Sequence, residues 1–247
     1  MLEEVANVIA RAKYLTALTG AGVSAESGIP TFRDRDGLWN RYRPEELATP
    51  EAFARNPKLV WEWYKWRMEL VFKAEPNPAH HAFAELERMG LLRCLITQNV
   101  DDLHERAGSR NVLHLHGRLR VVRCTGCSRE FEVDEVPKDE LPRCECGALL
   151  RPGVVWFGEL LPKDVLERAF EEVSKSDVII VAGTSAVVQP AASLPLIVKK
   201  RGGKIVEVNP SETPLSNVSD FSVRMKAGEA LPRIVDIVRR ALSSETP

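Results

Sequence analysis

The sequence predicts an α/β protein with a parallel sheet and helices on both faces. Two observations predict this class: apolar stretches of strand length alternate with stretches of helix length, and several apolar stretches end in small polar residues. Those ends are Thr19-Gly20, Thr97-Gln98-Asn99, Gly183-Thr184-Ser185 and Val208-Asn209. Carboxyl ends of parallel strands open onto one crevice, so we expect these four ends to share a ligand site. An ordinary polar loop is the alternative at each end.

The elements follow from periodicity and from turn residues. Predicted helices cover residues 2–12, 50–73, 78–89, 163–174, 190–201 and 228–243. Predicted strands cover residues 14–19, 91–97, 112–116, 178–182 and 205–208, and residues 153–157 are typical of a strand end. Thr49-Pro50 favours a helix start, because threonine can cap and proline suits the first helical position. Pro57 predicts a restart within the stretch 50–73.

Composition sets the broad class. The chain has 247 residues, 44% of them hydrophobic and 28% charged, which is enough to bury a core. The formal net charge of -1 gives no global attraction to nucleic acid or to a membrane surface. No apolar run approaches the roughly 18 residues that span a bilayer, and the charged N-terminus does not resemble a signal peptide. We therefore expect a cytoplasmic protein without a membrane partner.

A glycine-rich turn follows the first predicted strand. Gly20, Gly22 and Ala25 have the spacing G-x-G-x-x-A, which permits a tight turn and a close backbone approach to a pyrophosphate. A glycine turn of any α/β protein is the alternative. The stretch Ser27 to Pro30 breaks the following helix early. No strand end carries the acidic ribose-binding residue expected about 20 residues later, which disfavours a hydride-transfer enzyme of the usual form.

Four of the five cysteines are clustered. Cys124 and Cys127 form a C-x2-C pair, and Cys144 and Cys146 form a C-x-C pair. Four thiolates in two pairs on glycine-containing turns match a closed tetrahedral zinc site, so we expect a structural rather than a catalytic metal. A redox pair or inert thiols are the alternative. Cys94 lies in an apolar strand and is expected in the core.

Two histidines alternate at the end of a predicted strand. His114 and His116 precede Gly117, and alternation points their side chains the same way. A solvated pair, a metal-binding pair and a catalytic base are all open on the residues alone. A neutral imidazole at a strand end beside the crevice is suited to general-base catalysis near pH 7.

Together these stretches resemble the sirtuins, the NAD-dependent protein-lysine deacylases, over nearly the whole chain and in the family's order. The stretches are GAGVSAESGIPTFR at 20–33, TQNVD at 97–101, HLHG at 114–117, the paired cysteines, GVVWFGE at 153–159, GTS at 183–185 and VNP at 208–210. The resemblance implies a Rossmann-like NAD-binding domain over 1–33, 78–119 and 153–247. It also implies a small domain made of a helical module over 34–77 and a zinc ribbon over 120–152.

The resemblance further implies site residues. His116 would be the catalytic base, and Asn99 would orient the attacked ribose. NAD would be bound by Gly20, Ala21, Gly22, Ser24, Ala25, Phe32, Arg33, Gln98, Asn99, Val100, Asp101, Gly183, Thr184, Ser185, Asn209, Pro210, Ser211 and Ala227. Val155 and Phe157 would line the acyl-lysine channel. A peptide would add as a strand between Gly158-Glu159 and the loop after Val188. One zinc ion would bind Cys124, Cys127, Cys144 and Cys146.

The implied reaction consumes NAD. The acyl oxygen attacks C1′ of the nicotinamide ribose and expels nicotinamide, and His116 then deprotonates a ribose hydroxyl. The products would be free lysine, nicotinamide and O-acyl-ADP-ribose, from an acyl-lysine protein or peptide as partner. A chromatin protein or a metabolic enzyme is an expected substrate, with no direct contact to nucleic acid.

Tyr64 and Arg67 lie three residues apart and share a helix face. Packing of an aromatic helix is the alternative reading of this pair. The Y-x-x-R pattern is similar to that of sirtuins that remove acidic acyl groups. Arg67 would then pair with a distal carboxylate and Tyr64 would donate a hydrogen bond. We therefore expect succinyl- or malonyl-lysine to be preferred, with some deacetylation retained.

Three rival functions remain open. One is an NAD-dependent dehydrogenase and another is mono-ADP-ribosyl transfer at the same site. The third is a non-enzymatic zinc-ribbon module that binds DNA through Arg118, Arg120 and Arg123. Neighbouring acids oppose this third function: Glu130, Glu132, Asp134 and Glu135.

Overall fold

The computed structural model describes residues 1–244. Its strands are β1 Leu15–Thr19, β2 Leu92–Thr97, β3 Val112–His114, β4 Gly117–Cys124, β5 Glu130–Glu132, β6 Leu150–Val154, β7 Val178–Ala182, β8 Lys204–Val208 and β9 Phe221–Val223. Its helices are α1 Leu2–Ala10, α2 Ala21–Ala25, α3 Pro44–Leu47, α4 Pro50–Arg55, α5 Pro57–Lys73, α6 Pro78–Arg88, α7 Leu103–Arg106, α8 Lys163–Lys175, α9 Leu194–Lys200 and α10 Ala227–Ser244. Short 3-10 turns occupy Leu38–Asn40 and Ala191–Ser193.

Six strands form one parallel sheet in the order β3-β2-β1-β7-β8-β9. Strands β1, β7 and β8 are buried or nearly so along their whole length, which explains their continuous apolar sequences. Helices α1, α6 and α10 pack on one face, and α8 and α9 pack on the other. The predicted fold class is therefore confirmed, with helices on both faces of a parallel sheet.

A second sheet is antiparallel, in the order β5-β4-β6. Its core is shared with helix α5, whose Trp61 and Met68 pack with Leu119, Val122 and Val154. The eight-residue strand β4 has no long apolar run, because its buried residues are interspersed with partly exposed ones. The strand end predicted at 153–157 stops at Val154, and residues 155–157 line the cavity described below.

Helices α3, α4 and α5 pack with the antiparallel sheet, and together they form the second lobe of the molecule. Proline residues and polar caps mark the starts of α4 and α5, as predicted for Thr49-Pro50 and Pro57. The Thr49 hydroxyl accepts a hydrogen bond from the backbone N–H of Ala52 at 3.0 Å at the start of α4. The chain then restarts at Pro57, where the Asn56 side chain accepts from the backbone N–H of Leu59 at 3.2 Å. Side-chain oxygens thus satisfy donors that the first turns leave free.

Candidate active site

One cavity of about 300 Å³ lies where the carboxyl ends of the parallel strands face the second lobe. Its walls contain most of the predicted site residues, namely Gly20, Ala21, Gly22, Ser24, Phe32, Arg33, Tyr64, Arg67, Gln98, Asn99, Val100, Asp101, His116, Val155, Phe157, Gly183, Thr184 and Ser185. Outside these walls lie Ala25, Asn209, Pro210, Ser211 and Ala227. Trp39 and Trp63 also line the cavity, and sequence reasoning gave them no role. Three of the four predicted strand ends therefore border one cavity.

The fourth strand end supports this cavity from behind. The Asn209 side-chain amide donates to the Thr184 carbonyl at 3.0 Å, and its oxygen accepts from the Ser211 backbone N–H at 3.1 Å. Asn209 therefore holds the loop after β7, which is itself part of the wall.

The glycine turn after β1 packs directly on the turn after β7. The Gly22 N–H donates to the Gly183 carbonyl at 2.8 Å. A Cβ at Gly20 would lie 2.7 Å from the Gly183 oxygen, and one at Gly22 would lie 2.8 Å from the Gly183 Cα. These glycines are therefore required by the packing of two neighbouring turns, beyond any approach to a phosphate.

His116 lines the cavity, and only one of its ring nitrogens has a hydrogen-bond partner among residues 1–244. Its Nδ1 lies 3.2 Å from the backbone oxygen of Gln98. A carbonyl can only accept, so Nδ1 carries the proton and Nε2 keeps its lone pair. Burial lowers the pKa of His116, partly opposed by the Gln98 carbonyl, so the ring is neutral near pH 7. The side chain is thus suited to accept a proton.

Asn99 and Gln98 are held on the adjacent strand end. The Asn99 amide donates to the Gly20 carbonyl at 2.9 Å, and the Gln98 amide donates to the Thr184 hydroxyl at 2.9 Å. Both side chains therefore connect the end of β2 to the turns after β1 and β7, which fixes their polar groups beside the cavity.

A buried hydrogen-bond chain lies below the cavity. The backbone N–H of Asn77 donates to His80 Nδ1 at 3.0 Å, so the proton of His80 is on Nε2, which contacts the Ser24 hydroxyl at 3.2 Å. Ser24 then donates to Asp101 at 2.8 Å. Burial lowers the pKa of His80 to about 4 and raises that of Asp101. Sequence reasoning gave His80 no role; its place three residues after the Asn77 cap was the available signal.

Tyr64 and Arg67 lie on one face of α5 and line the cavity. The Arg67 side chain is buried, with its residue only 8% exposed, and its guanidinium lies 4.8 Å from the Phe32 ring centre and 5.0 Å from that of Trp63. Within residues 1–244 no carboxylate forms an ion pair with it. The predicted pair therefore presents a buried cation to the cavity.

The four cysteines converge at the end of the antiparallel sheet. Their sulfur atoms all lie within 4.8 Å of one another, with 3.4 Å between Cys124 and Cys146 and 3.7 Å between Cys127 and Cys144. Tetrahedral zinc would set sulfurs about 3.8 Å apart. The backbone N–H groups of Gly126 and Cys127 both point at the Cys124 sulfur at 3.3 Å, as they do toward thiolates. The donors fit a structural zinc ion with a closed coordination sphere.

His114 and the arginines of the proposed DNA-binding cluster are all engaged with neighbouring groups of the protein. His114 contacts the Asn99 carbonyl through Nδ1 and the Glu105 carboxylate through Nε2, so neither nitrogen is free to act as a base. The basic cluster that would bind DNA is neutralised, because each arginine faces an acid: Arg118 faces Glu132, Arg120 faces Asp102 and Arg123 faces Glu159. None of the helices within residues 1–244 is long and apolar enough to cross a membrane.

The fold and this cavity define a class of protein with known members. The Sir2 family model matches residues 20–190. The NAD-dependent protein deacylase 1 of Archaeoglobus fulgidus is 71% identical over 245 residues, covering 98% of this chain and 100% of that protein. The chain belongs to the Sir2 family. The resemblance to sirtuins is confirmed, and so is the predicted kind of enzyme, an NAD-dependent protein deacylase.

Solved structures agree with this assignment. A Sir2 homologue in complex with NAD has a TM-score of 0.94 and 71% identity, covering 97% of this chain and 94% of that one. A Sir2 protein bound to a myristoylated histone peptide has a TM-score of 0.83 and 42% identity, covering 99% and 98%. Such proteins therefore hold NAD and an acylated peptide on this fold.

Proposed function

We propose that this chain removes acyl groups from protein lysines at the expense of NAD and prefers acyl groups that end in a carboxylate. One observation carries the proposal: a single cavity is bordered by the glycine turn, by His116 and by the Arg67 side chain. The turn suits the phosphates of NAD, His116 suits the proton transfer, and Arg67 suits the far end of an acyl chain. The proposed domain division, with 34–77 and 120–152 as one small domain, is supported by the core that these segments share.

His116 supplies the base in this proposal. Bound NAD supplies a ribose carbon that the acyl oxygen attacks as nicotinamide leaves. The free Nε2 of His116 then takes a proton from a ribose hydroxyl, which lets that oxygen attack the acyl carbon. Asn99, fixed on the Gly20 carbonyl, orients the ribose. After that attack the lysine amine leaves, and one water molecule adds to the acyl carbon to give O-acyl-ADP-ribose. Asn99 and Asp101 are buried, so their polar groups act with little competition from bulk solvent.

The acyl preference follows from Arg67. A buried guanidinium stays charged, and a buried charge without a counter-charge is unfavourable. The nearest acidic influence is Asp101, which favours the charged form of Arg67 but accepts its hydrogen bonds from Ser24 and Leu103. A carboxylate at the end of the acyl chain would supply the missing partner with charge-assisted hydrogen bonds. An acetyl group would leave the charge of Arg67 without a counter-charge.

The peptide site is proposed between Gly158-Glu159 and the loop at Val188, all of which line the cavity. Phe157 is 40% exposed there and offers an apolar contact. The proposed substrates are acyl-lysine proteins, including chromatin proteins or metabolic enzymes. The cytoplasmic location expected from the sequence stays a prediction.

The test compares matched acetyl and succinyl peptides with NAD, with products identified by mass spectrometry. Wild-type protein should give free lysine, nicotinamide and O-acyl-ADP-ribose, with a higher kcat/KM on the succinyl peptide. Arg67→Ala should lower kcat/KM for the succinyl peptide about a hundredfold, as expected when one partner of a buried charge pair is removed, and should affect the acetyl peptide less. Arg55→Ala, which removes an exposed arginine of α4, is the control. Equal losses on both peptides, or ADP-ribose left on the protein, would contradict the proposal.

A further inference from the structure

We infer that Trp156 is a positioning residue that turns the Tyr64 hydroxyl so that its proton points at the acyl group. The inference rests on the proposed preference for acidic acyl groups and assigns part of it to a residue outside the Tyr64–Arg67 pair. Trp156 and Tyr64 are 92 residues apart, and their side chains meet in the wall of the cavity.

The direction of the hydrogen bond is fixed by chemistry. The Trp156 indole Nε1 lies 2.9 Å from the Tyr64 hydroxyl oxygen. An indole N–H can only donate, whereas a hydroxyl has one proton and two lone pairs. Tyr64 must therefore accept from Trp156, and its own proton remains for another acceptor. No such acceptor is found among residues 1–244, so an acyl carboxylate in the cavity is the group that this proton suits.

The indole is itself held in place. The Arg151 guanidinium lies 3.6 Å from the centre of the Trp156 ring. The Glu159 carboxylate accepts from the Trp156 backbone N–H at 2.8 Å and from Arg151 at 2.7 Å and 2.8 Å. Trp156 is 3% exposed, and the Phe53 ring packs 5.3 Å away. The indole cannot turn away from Tyr64 without breaking this packing.

Tyr64 is suited to remain a donor. Burial raises the pKa of its hydroxyl, with Arg67 opposing, so the proton is retained at neutral pH. Arg67 then offers charge and Tyr64 offers one directed hydrogen bond to the same end of the cavity. The fixed direction is a specificity device, because an acyl group without an acceptor there leaves the Tyr64 proton unpaired.

The test is a double-mutant cycle between Trp156→Phe and Tyr64→Phe, read as the ratio of kcat/KM on succinyl and acetyl peptides. Trp156→Phe keeps an aromatic ring but removes the N–H. We expect the ratio to fall about fivefold, the fold-change typical of one buried neutral hydrogen bond, mainly through a higher KM for the succinyl peptide. The effects should not add, so that the double variant matches Tyr64→Phe alone.

Two controls separate positioning from stability. Trp61 lies on α5, as does Tyr64, but it donates its indole N–H to the Leu150 carbonyl on β6 at 2.9 Å. Trp61→Phe should lower the melting temperature but keep the wild-type ratio. If Trp156→Phe does not fold, β-(3-benzothienyl)-alanine at position 156 keeps the two-ring shape without the N–H, and the same fall in the ratio is expected.

The outcomes are distinct. A wild-type protein without succinyl preference would overturn the proposed acyl specificity, and the role of Trp156 with it. A wild-type preference that survives loss of the indole N–H would overturn the role of Trp156 alone. Additive losses in the cycle would also overturn it, because the two side chains would then act independently.

Discussion

A single backbone carbonyl decides the chemistry available to His116. Because Gln98 accepts from Nδ1, the lone pair of the ring is confined to Nε2. The same strand end thus supplies both the Gln98 side chain and the carbonyl that fixes the tautomer of His116. His114, two residues earlier, has the same ring but both nitrogens engaged. The hydrogen-bond partners therefore distinguish the proposed base from a structural histidine.

The pH dependence of the reaction follows from this environment. Burial lowers the pKa of His116 below its ordinary value of 6.5, and only the neutral ring can accept a proton. We expect the acid limb of kcat/KM, measured on a fixed peptide with NAD, to be centred below pH 6.5. His81→Gln, which removes an exposed histidine of α6, should leave this profile unchanged. An acid limb centred at or above pH 6.5 would contradict the assignment.

At the scale of elements, the zinc ribbon shows how a metal site can stabilise a strand that buries little surface. Strand β5 has three residues and exposes most of its surface, so it gains little from burial of its own. The cysteines supply the missing constraint. Arg129 lies 3.5 Å from the Cys127 sulfur and 3.8 Å from that of Cys144, where its charge offsets that of the thiolates.

Removal of the metal should therefore unfold the ribbon. We expect a strong chelator to release about one zinc per chain, to lower the melting temperature and to abolish deacylation, because β4 and β6 also support the cavity. Zinc content, calorimetry and activity are the measurements, and added zinc should restore all three. Cys94→Ser, outside the cluster, should retain the metal. Full activity and an unchanged melting temperature without metal would contradict a structural role.

At the scale of the whole molecule, we expect binding and chemistry to be separable, because different residues are proposed for them. The glycine turn and the end of β2 would hold the nucleotide, whereas His116 would transfer the proton. We expect ADP-ribose to raise the melting temperature of wild-type protein and of His116→Ala by similar amounts, since a ligand that binds only the folded state stabilises it. Deacylation should be lost in His116→Ala alone. Normal turnover in that variant would remove the assigned base.

Much of this molecule could be predicted from local sequence. Short apolar stretches predict buried strands such as Val178–Ala182, and prolines predict the helix starts at Pro50, Pro57 and Pro78. The observed bounds agree with the predicted ones to within a few residues. Long motifs gave the family, which is confirmed by the match over residues 20–190. The roles of individual site residues stay predictions.

The rest depends on contacts between distant segments. The eight-residue strand β4 was not predicted, because it is stabilised by partners on either side rather than by its own apolar pattern. The three-residue strand β9 is too short to give a period. The bond between Trp156 and Tyr64 and the chain from His80 to Asp101 join residues that no local pattern connects. Such contacts can be identified only from the folded structure.

The packing of Gly20 and Gly22 against Gly183 limits how this molecule can diverge. A side chain at any of the three would push apart the turns after the two central strands β1 and β7. If these turns bind the nucleotide as proposed, its recognition can diverge at neighbouring positions that line the cavity, such as Gln98 and Ser185. In a library of all single substitutions, the same loops should contain positions that accept no replacement beside positions that accept several.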